Sequence, residues 1–325
     1  MESNLGLSSR RPKFLVGIKF WNGIPFYLLI ALMGVVVILQ PNALSYTGFT
    51  LLLSASVPLA FAATAQMFIM AAGDIDLGIG TFVGLVNVIT AIVLIHHIFF
   101  GLLIYLVLIA GYVLIGLLVH HRQLPSIVVT LGASFIWLGI AIMILPSPSG
   151  EVPSYIVNFF GWAPPFIPGP VIFLVAIGVI ANLILMRTRY GAVLRGSGSN
   201  AEAIGRAGWS VAGTKATLFG FAGIFAVLSG LALSANTTSG DANNGSSYVL
   251  LSIVAVIIGG GEFSGGLVAP AGAVAGAVVV VLIGTVLTFL NVSSDYQIGA
   301  QGLILILTLG IRAVRNWTHE GVKSR

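Results

Sequence analysis

Two carboxylates stand out by position. Asp74 and Asp76 lie in G-D-I-D-L-G-I-G (Gly73–Gly80), between two long apolar stretches. If those stretches cross a bilayer, a charge near its centre costs about 2.5–3.5 kcal/mol on insertion scales. The pair therefore needs an interface, a wet cavity or free backbone N–H groups. Asp76 precedes a helical run, and two readings stand: it caps that helix, or it faces a solute route. Asp74 receives no role. A second group is Ser199 and Glu202, which have capping-box spacing. A third is the glycine-rich run Gly259–Gly261 with Gly265–Gly266, read as a flexible turn. No G-x-x-x-x-G-K-[ST] string occurs, so nucleotide binding must belong to another polypeptide. There are no cysteines, which excludes thiolate metal sites and cysteine nucleophiles. His96–His97 and His120–His121 are consecutive, hence about 100° apart on a helix, and read as interfacial polar residues. No acid–base pair stands beside a nucleophile. The chain carries no enzymatic constellation, and its chemistry is that of charges and glycines placed among apolar helices.

Those helices dominate the composition. Of 325 residues, 58% are hydrophobic and 7% charged, with a mean hydropathy of +1.08. A soluble domain carries about 25% charged residues, so lipid must be the main solvent. The 41 glycines suit closely approaching membrane helices. Net charge is +5, but the basic residues are scattered and exclude a nucleic-acid patch. At about 20 apolar residues per crossing, ten stretches emerge: Ile24–Gln40, Gly48–Ala72, Ile79–His96, Ile98–Val119, Leu124–Leu145, Pro165–Met186, Val211–Ser234, Ser247–Gly261, Gly266–Leu290 and Ile298–Ile311. The eighth and tenth are short, and Gly73–Gly80 reads as a break inside the membrane. Uniform apolarity argues against barrel strands. The expectation is an all-α polytopic membrane protein with about ten transmembrane helices.

Charge sets the orientation. The 14 Lys and Arg residues fall in four places: before the first stretch (Arg10, Arg11, Lys13, Lys19), after the fourth (Arg122), around the loop before the seventh (Arg187, Arg189, Arg195, Arg206, Lys215) and after the tenth (Arg312, Arg315, Lys323, Arg325). With ten crossings and the N-terminus inside, every one is cytoplasmic. The opposite loops carry Glu151, Asp241 and Asp295. This divides the chain into a basic cytoplasmic N-terminus 1–23, a membrane domain 24–313 with an inner loop 187–211 and an outer loop 146–165, and a cytoplasmic tail 314–325.

The inner loop reads R-T-R-Y-G-A-V-L-R-G-S-G-S-N-A-E-A-I-G-R-A-G-W-S-V. Ser199 and Glu202 predict a helix start and Gly208 a C′ stop. The helix between is about eight residues, roughly 12 Å, and marginal alone in water. Ala203, Ile204 and Ala207 give it a small apolar face that something must cover. Either it packs on its own membrane domain, or it docks on a cytoplasmic motor.

This segment resembles the coupling loop of ATP-binding-cassette (ABC) permeases of the ribose/xylose/galactose type, related to the branched-chain amino-acid permeases. The matching residues are Arg187, Thr188, Gly191, Gly198, Asn200, Glu202, Ala203, Gly208 and Val211. Three further blocks agree: Gly73, Ile75, Asp76, Leu77 and Gly80; Gly259–Gly266 with Gly272 and Gly276; and, more weakly, Leu124–Gly132. Asp74 and Gly78 stand where the family usually has Gly and Ser. Glu262 and Leu267–Pro270 interrupt its late glycine pattern.

The resemblance implies a type II importer-like permease fold in a bacterial inner membrane, importing a sugar or sugar-like solute. It implies an ABC ATPase subunit that binds ATP and Mg, an extracytoplasmic solute-binding protein, and a second permease copy or paralogue completing a dimer. ATPase coupling is expected at Gly198, Ser199, Asn200, Ala201, Glu202, Ala203, Ile204 and Gly208. By position, Gln66, Met67, Phe68, Asp76, Asn87 and Thr90 are candidates for the translocation path. The outer segment Pro146–Pro170, with Phe159, Phe160 and Trp162, is either an interfacial aromatic cap or a landing surface for the binding protein. Gly272 and Gly276 form a small-x-x-x-small pair that packs within the chain or between subunits. A self-powered carrier or channel is the competing class, but the stretches hold few ionisable groups.

Overall fold

The computed structural model describes residues 14–293 and isolated positions 296, 299, 300, 302, 303, 306 and 310. The helices in chain order are α1 (Phe14–Leu39), α2 (Tyr46–Ser54), α3 (Ser56–Ala71), α4 (Ile79–Ile89), α5 (Ile98–Arg122), α6 (Ser126–Ile144) and α7 (Ser154–Phe160), then α8 (Gly169–Asn182), α9 (Arg189–Ser199), α10 (Ala201–Arg206), α11 (Val211–Thr237), α12 (Tyr248–Ile258) and α13 (Pro270–Phe289). Single π-helical turns, Thr90–Leu94 and Leu183–Arg187, extend α4 and α8. Among the described residues there is no strand, only an antiparallel bridge between Ser149 and Gly240.

Six helical runs are long and apolar enough to cross a membrane: Tyr46–Ala71, Ile98–Arg122, Ser126–Ile144, Gly169–Arg187, Val211–Thr237 and Pro270–Phe289. Pro25–Leu39, Ile79–Leu94 and Tyr248–Ile258 are apolar but shorter. Nine of the ten expected stretches thus lie on helices, but the described helices supply six of membrane length rather than ten. The reason is local. The first stretch is apolar only over Pro25–Leu39, the third is confined between the non-helical break before Ile79 and its end at Leu94, and the eighth stops at a glycine turn after 11 residues. Most of the tenth, Ile298–Ile311, lies outside the described residues, as does Asp295.

The centre of the fold is α3. All its residues from Ser56 to Ala71 are buried, as expected of a helix apolar all round. It is enclosed by α8, α11, α12 and α13. Pro58 explains why α2 and α3 are separate: it lacks an N–H and its ring crowds the carbonyl four residues back. That carbonyl, on Ser54, instead accepts from Asn236 Nδ2 of α11 at 3.0 Å. Ser229 Oγ of α11 donates to the Pro58 carbonyl at 2.8 Å. Backbone freed inside a membrane fold must find such partners. At the other extreme, α5 and α6 expose Phe99 (86%), Phe135 (68%) and Met143 (85%). A contiguous apolar surface of this kind suits lipid, not water.

The small-residue pair resolves within the chain. A Cβ at Gly272 would collide with the Gly259 carbonyl oxygen, and one at Gly276 with that of Ala255. Gly272 and Gly276 therefore let α13 lie directly against α12. The outer segment is ordered by α7: Phe160 packs edge-on against Phe61 of α3 (6.4 Å) and tilted against Phe173 of α8 (5.2 Å). Phe159, Trp162 and Phe166 remain exposed.

Candidate functional site at the helix break

Between α3 and α4 the chain runs non-helically from Ala72 to Gly78, and every N–H from residue 73 to 78 is satisfied. Gly73 and Asp74 bond back to the carbonyls of Met70 (3.0 Å) and Ile69 (3.2 Å). Ile75 N–H donates to Ser126 Oγ (3.1 Å) and Leu77 N–H to Thr130 Oγ1 (3.0 Å). Gly78 N–H donates to Asp76 Oδ1 (2.6 Å). The Gln66 side-chain amide, oriented to satisfy both its ends, accepts from Asp76 N–H (3.2 Å) and donates to the Asp76 carbonyl (3.1 Å). A non-helical segment among membrane helices persists only with such complete accounting.

The two carboxylates are held separately. Asp76 is buried; its second oxygen accepts from the Tyr112 hydroxyl of α5 at 2.6 Å. Its first oxygen braces the turn before α4; it is not the helix N-cap expected of it, which is Gly78, without a side-chain bond. Asp74 Oδ2 is 2.8 Å from Lys215 Nζ of α11. Sequence reasoning missed Tyr112 and the Lys215 pairing. Ser126 and Thr130 had a signal: they lie four apart in the weakly matching block Leu124–Gly132, on one helix face.

The inner loop comes directly onto this break. Thr188 caps α9 by accepting from Gly191 N–H (2.8 Å), and Arg195 Nε donates to the Leu185 carbonyl (3.0 Å). The end of α9 then meets two other glycine segments. The Gly198 carbonyl would lie 3.5 Å from a Cβ at Gly73 and 2.5 Å from one at Gly265. Gly266 N–H donates to the Ala71 carbonyl at 3.0 Å. Gly73, Gly265 and Gly266 have φ of +79°, +78° and +73°, which L side chains rarely adopt. The late glycine run is therefore pinned, not the flexible turn expected of it.

Beyond this junction stands α10. Its N-cap is Asn200, whose Oδ1 accepts from Ala203 N–H at 2.9 Å; Ser199 instead donates to the Gly196 carbonyl and ends α9. The expected Ser199–Glu202 capping box does not form; the N-cap lies one residue later, at Asn200, with Ala203 at the position a box would need Glu or Gln. Glu202 pairs with Arg206 one turn on. The helix is six residues rather than about eight. Its C-terminus is as expected: Gly208 has φ +85°, Gly208 N–H reaches the Gly205 carbonyl (3.0 Å) and Trp209 N–H the Ile204 carbonyl (3.2 Å). That is a Schellman motif. No residue of α10 is buried. Ile204 leans on Gly196 of α9, while Ala201, Glu202, Ala203 and Ala207 are exposed.

The positional candidates for a path all sit inside the protomer. Gln66 and Asp76 meet at the break. Phe68 is buried and stacked on Phe221 (5.3 Å) and Phe225 (5.4 Å), with Met67 buried beside it in α3. Asn87 lies far from them along α4: it donates to Ser234 Oγ (2.9 Å) and the Ser239 carbonyl (3.0 Å), and accepts from Asp241 N–H (2.8 Å). Thr90 is hydrogen-bonded to Tyr105 (2.8 Å). The break and the outer segment thus mark opposite ends of α4. At one end Gly73 touches Gly198; at the other the Ala91 carbonyl accepts from Glu151 N–H at 3.3 Å. Thirteen helical residues, Ile79 to Ala91, lie between these contacts, about 20 Å, well over half of a hydrocarbon core.

Apolar helices with lipid-suited flanks and a backbone-satisfied internal break define an integral membrane protein of the polytopic α-helical class. The chain belongs to the family described as branched-chain amino acid transport system / permease component, whose profile it matches over residues 48–309. It is similar to the L-arabinose transport system permease protein of Escherichia coli (strain K12), at 27% identity over 254 residues, 75% of this chain and 76% of that one. It is similar to the ribose import permease protein of Bacillus subtilis (strain 168), at 28% over 295 residues, 88% and 90% of the two chains. The galactose/methyl galactoside import permease protein of Haemophilus influenzae is 27% identical over 314 residues, 89% and 93%. No solved structure matches.

Proposed function

We propose that this chain is the membrane permease subunit of an ATP-driven sugar importer. A separate ABC ATPase binds ATP and Mg and grips α10, and an extracytoplasmic binding protein delivers the sugar to the face bearing α7. The chain works as a dimer with a second copy or a paralogue, in a bacterial inner membrane, with about ten crossings and both termini cytoplasmic. The names of the arabinose, ribose and galactose permeases it resembles support the solute class. The basic residues support the orientation: the inner-loop arginines stand at the break end of α4 and Glu151 at the other.

The observation that carries the reading is α10 itself. It is capped at both ends yet buries none of its residues. A six-residue helix gains too little from its own hydrogen bonds to persist in water, so the exposed Ala203 and Ala207 are a surface made for another subunit. Gln66, Asp76 and Asn87 act on the solute route indirectly, by bracing the break and the outer end of α4, and Phe68 by filling the α3–α11 seam. The test is Glu202→Lys combined with Ala203→Arg. The Glu202–Arg206 pair is exposed and contributes about 1 kcal/mol or less, so insertion persists. ATPase co-purification and uptake of labelled arabinose, ribose or galactose are expected to fall at least tenfold. Unchanged co-purification and uptake would remove α10 as the docking element.

A further inference from the structure

We propose that Asp74 and Lys215 are a positioning pair that registers the N-terminal end of α11 against the break, so that displacement of α10 moves residues 73–78. This rests on α10 receiving the ATPase. Lys215 is the fifth residue of α11. The helix N-cap, Ser210, accepts from Gly213 N–H at 3.1 Å and follows the Schellman turn of α10 by two residues. The segment from α10 through Gly208 to Lys215 is therefore one short, capped arm. Lys215 Nζ lies 2.8 Å from Asp74 Oδ2, with the side chains 19% and 11% exposed.

A largely desolvated ion pair is a poor source of stability, because desolvation offsets most of the Coulomb attraction. Removing one partner, by contrast, leaves an uncompensated buried charge. Such pairs are best attested where they fix one register among several. Here the flanking residues define that register. Gly73, before Asp74, lies against the Gly198 carbonyl at the end of α9. Ile75, after it, is hydrogen-bonded to Ser126 of α6. The break is thus held on consecutive residues by the elements on both sides of α10, through backbone at 73 and through charge at 74. A pull on α10 reaches the break by two routes in parallel, and the ion pair is the one that links it to α11.

The chain has no cysteine, so a single reporter is available. In proteoliposomes holding the permease with its ATPase and binding protein, Ile75→Cys would be labelled with a maleimide, with and without ATP plus vanadate. The labelling rate is expected to change with nucleotide. Asp74→Asn and Lys215→Met should each reduce that nucleotide-dependent change about tenfold, within the span of ordinary coupling between sites, while the ATPase stays bound. The exchanged pair, Asp74→Lys with Lys215→Asp, should restore it. If a single variant fails to insert, Lys215→Arg and the exchanged pair carry the test. An assembled complex whose response is undiminished in either single variant overturns the pair, as does an exchanged pair that inserts but does not respond. Failure of the unsubstituted permease to retain the ATPase would overturn the docking reading instead, and is seen before any nucleotide is added.

Discussion

Replacing Gly198 by Ala puts one methyl into the junction where three glycine segments meet. The new Cβ would lie 2.9 Å from the Ala71 carbonyl carbon and 3.0 Å from the Gly266 nitrogen, and nearer still to the Ala71 carbonyl oxygen. Ordinary contacts begin near 3.4 Å, so clearing the carbonyl carbon alone takes 0.5 Å (3.4 less 2.9), and the nearer carbonyl oxygen demands a withdrawal well beyond that. All three obstacles are backbone, so no rotamer change can relieve them. Overpacking of this kind costs about 1–3 kcal/mol. The withdrawal also strains the Gly266–Ala71 hydrogen bond, whose loss leaves buried groups unpaired at about 1–3 kcal/mol. The control is Gly205→Ala in α10, where the nearest atom to the new Cβ is Val211 Cγ2 at 3.8 Å. That change should be neutral or stabilising by up to about 1 kcal/mol through helix propensity. In detergent, the thermal-scan midpoint of Gly198→Ala is expected several degrees below that of Gly205→Ala, with sugar uptake lost in the first and kept in the second. Equal midpoints and equal uptake in the two variants would show that the junction is not the rigid contact described.

Other perturbations address the remaining supports. Thr130→Val removes the acceptor for Leu77 N–H and should destabilise by about 1–3 kcal/mol, measured as a lowered unfolding midpoint; Thr130→Ser keeps the hydroxyl and should recover most of it. Asn87→Leu removes all three bonds that hold Ser234, Ser239 and Asp241, and faster hydrogen exchange across 239–247 is the expected sign. Gly276→Val drives two methyls into the Ala255 carbonyl region of α12 and should cut the yield of folded protein on size-exclusion chromatography.

Much of this site was legible before any coordinates, and the part that was not has an identifiable cause. Four sequence blocks, around residues 73–80, 124–132, 187–211 and 259–266, converge on one place in space. Glycines at close backbone approaches and Asx or hydroxyl caps are readable because only those residue types serve there. Gly208 could be assigned as a helix stop on that basis, and the break at Gly73–Gly80 was visible as polar residues between apolar runs. The cap of α10 was misplaced by one residue because Ser199, Asn200 and Glu202 offer competing solutions, and the packing of α9 decides between them. Lys215, grouped with the basic flank by its charge, gave no local sign that it pairs with Asp74, 141 positions earlier. Helix length was less legible than helix position: hydropathy registers apolar length, but α4 and α12 end where the backbone turns, whatever the hydropathy beyond, so among the described residues six helices reach membrane length.

The contrast between α9 and α10 bears on how motion could pass through the chain. Contacts made by long side chains absorb displacement, since rotamers can change at little cost. Contacts between backbones cannot, because the peptide units are stiff and the nearest atoms belong to them. The end of α9 meets the break and the late glycine turn backbone against backbone at Gly198, Gly73 and Gly265, with only the short Ser199 side chain beside Gly266. One turn further along, α10 has no buried residue at all. The loop is thus in closest backbone contact where it touches its own membrane domain, and barest at α10, where the proposed ATPase contact falls. A surface helix meant only to cover its own protein would show the reverse order: side chains packed inward, with the slack at its base. If α10 is displaced, as the docking proposal requires, the backbone contacts of Gly198 lie directly between it and residues 71–73 at the end of α3, whose residues are all buried.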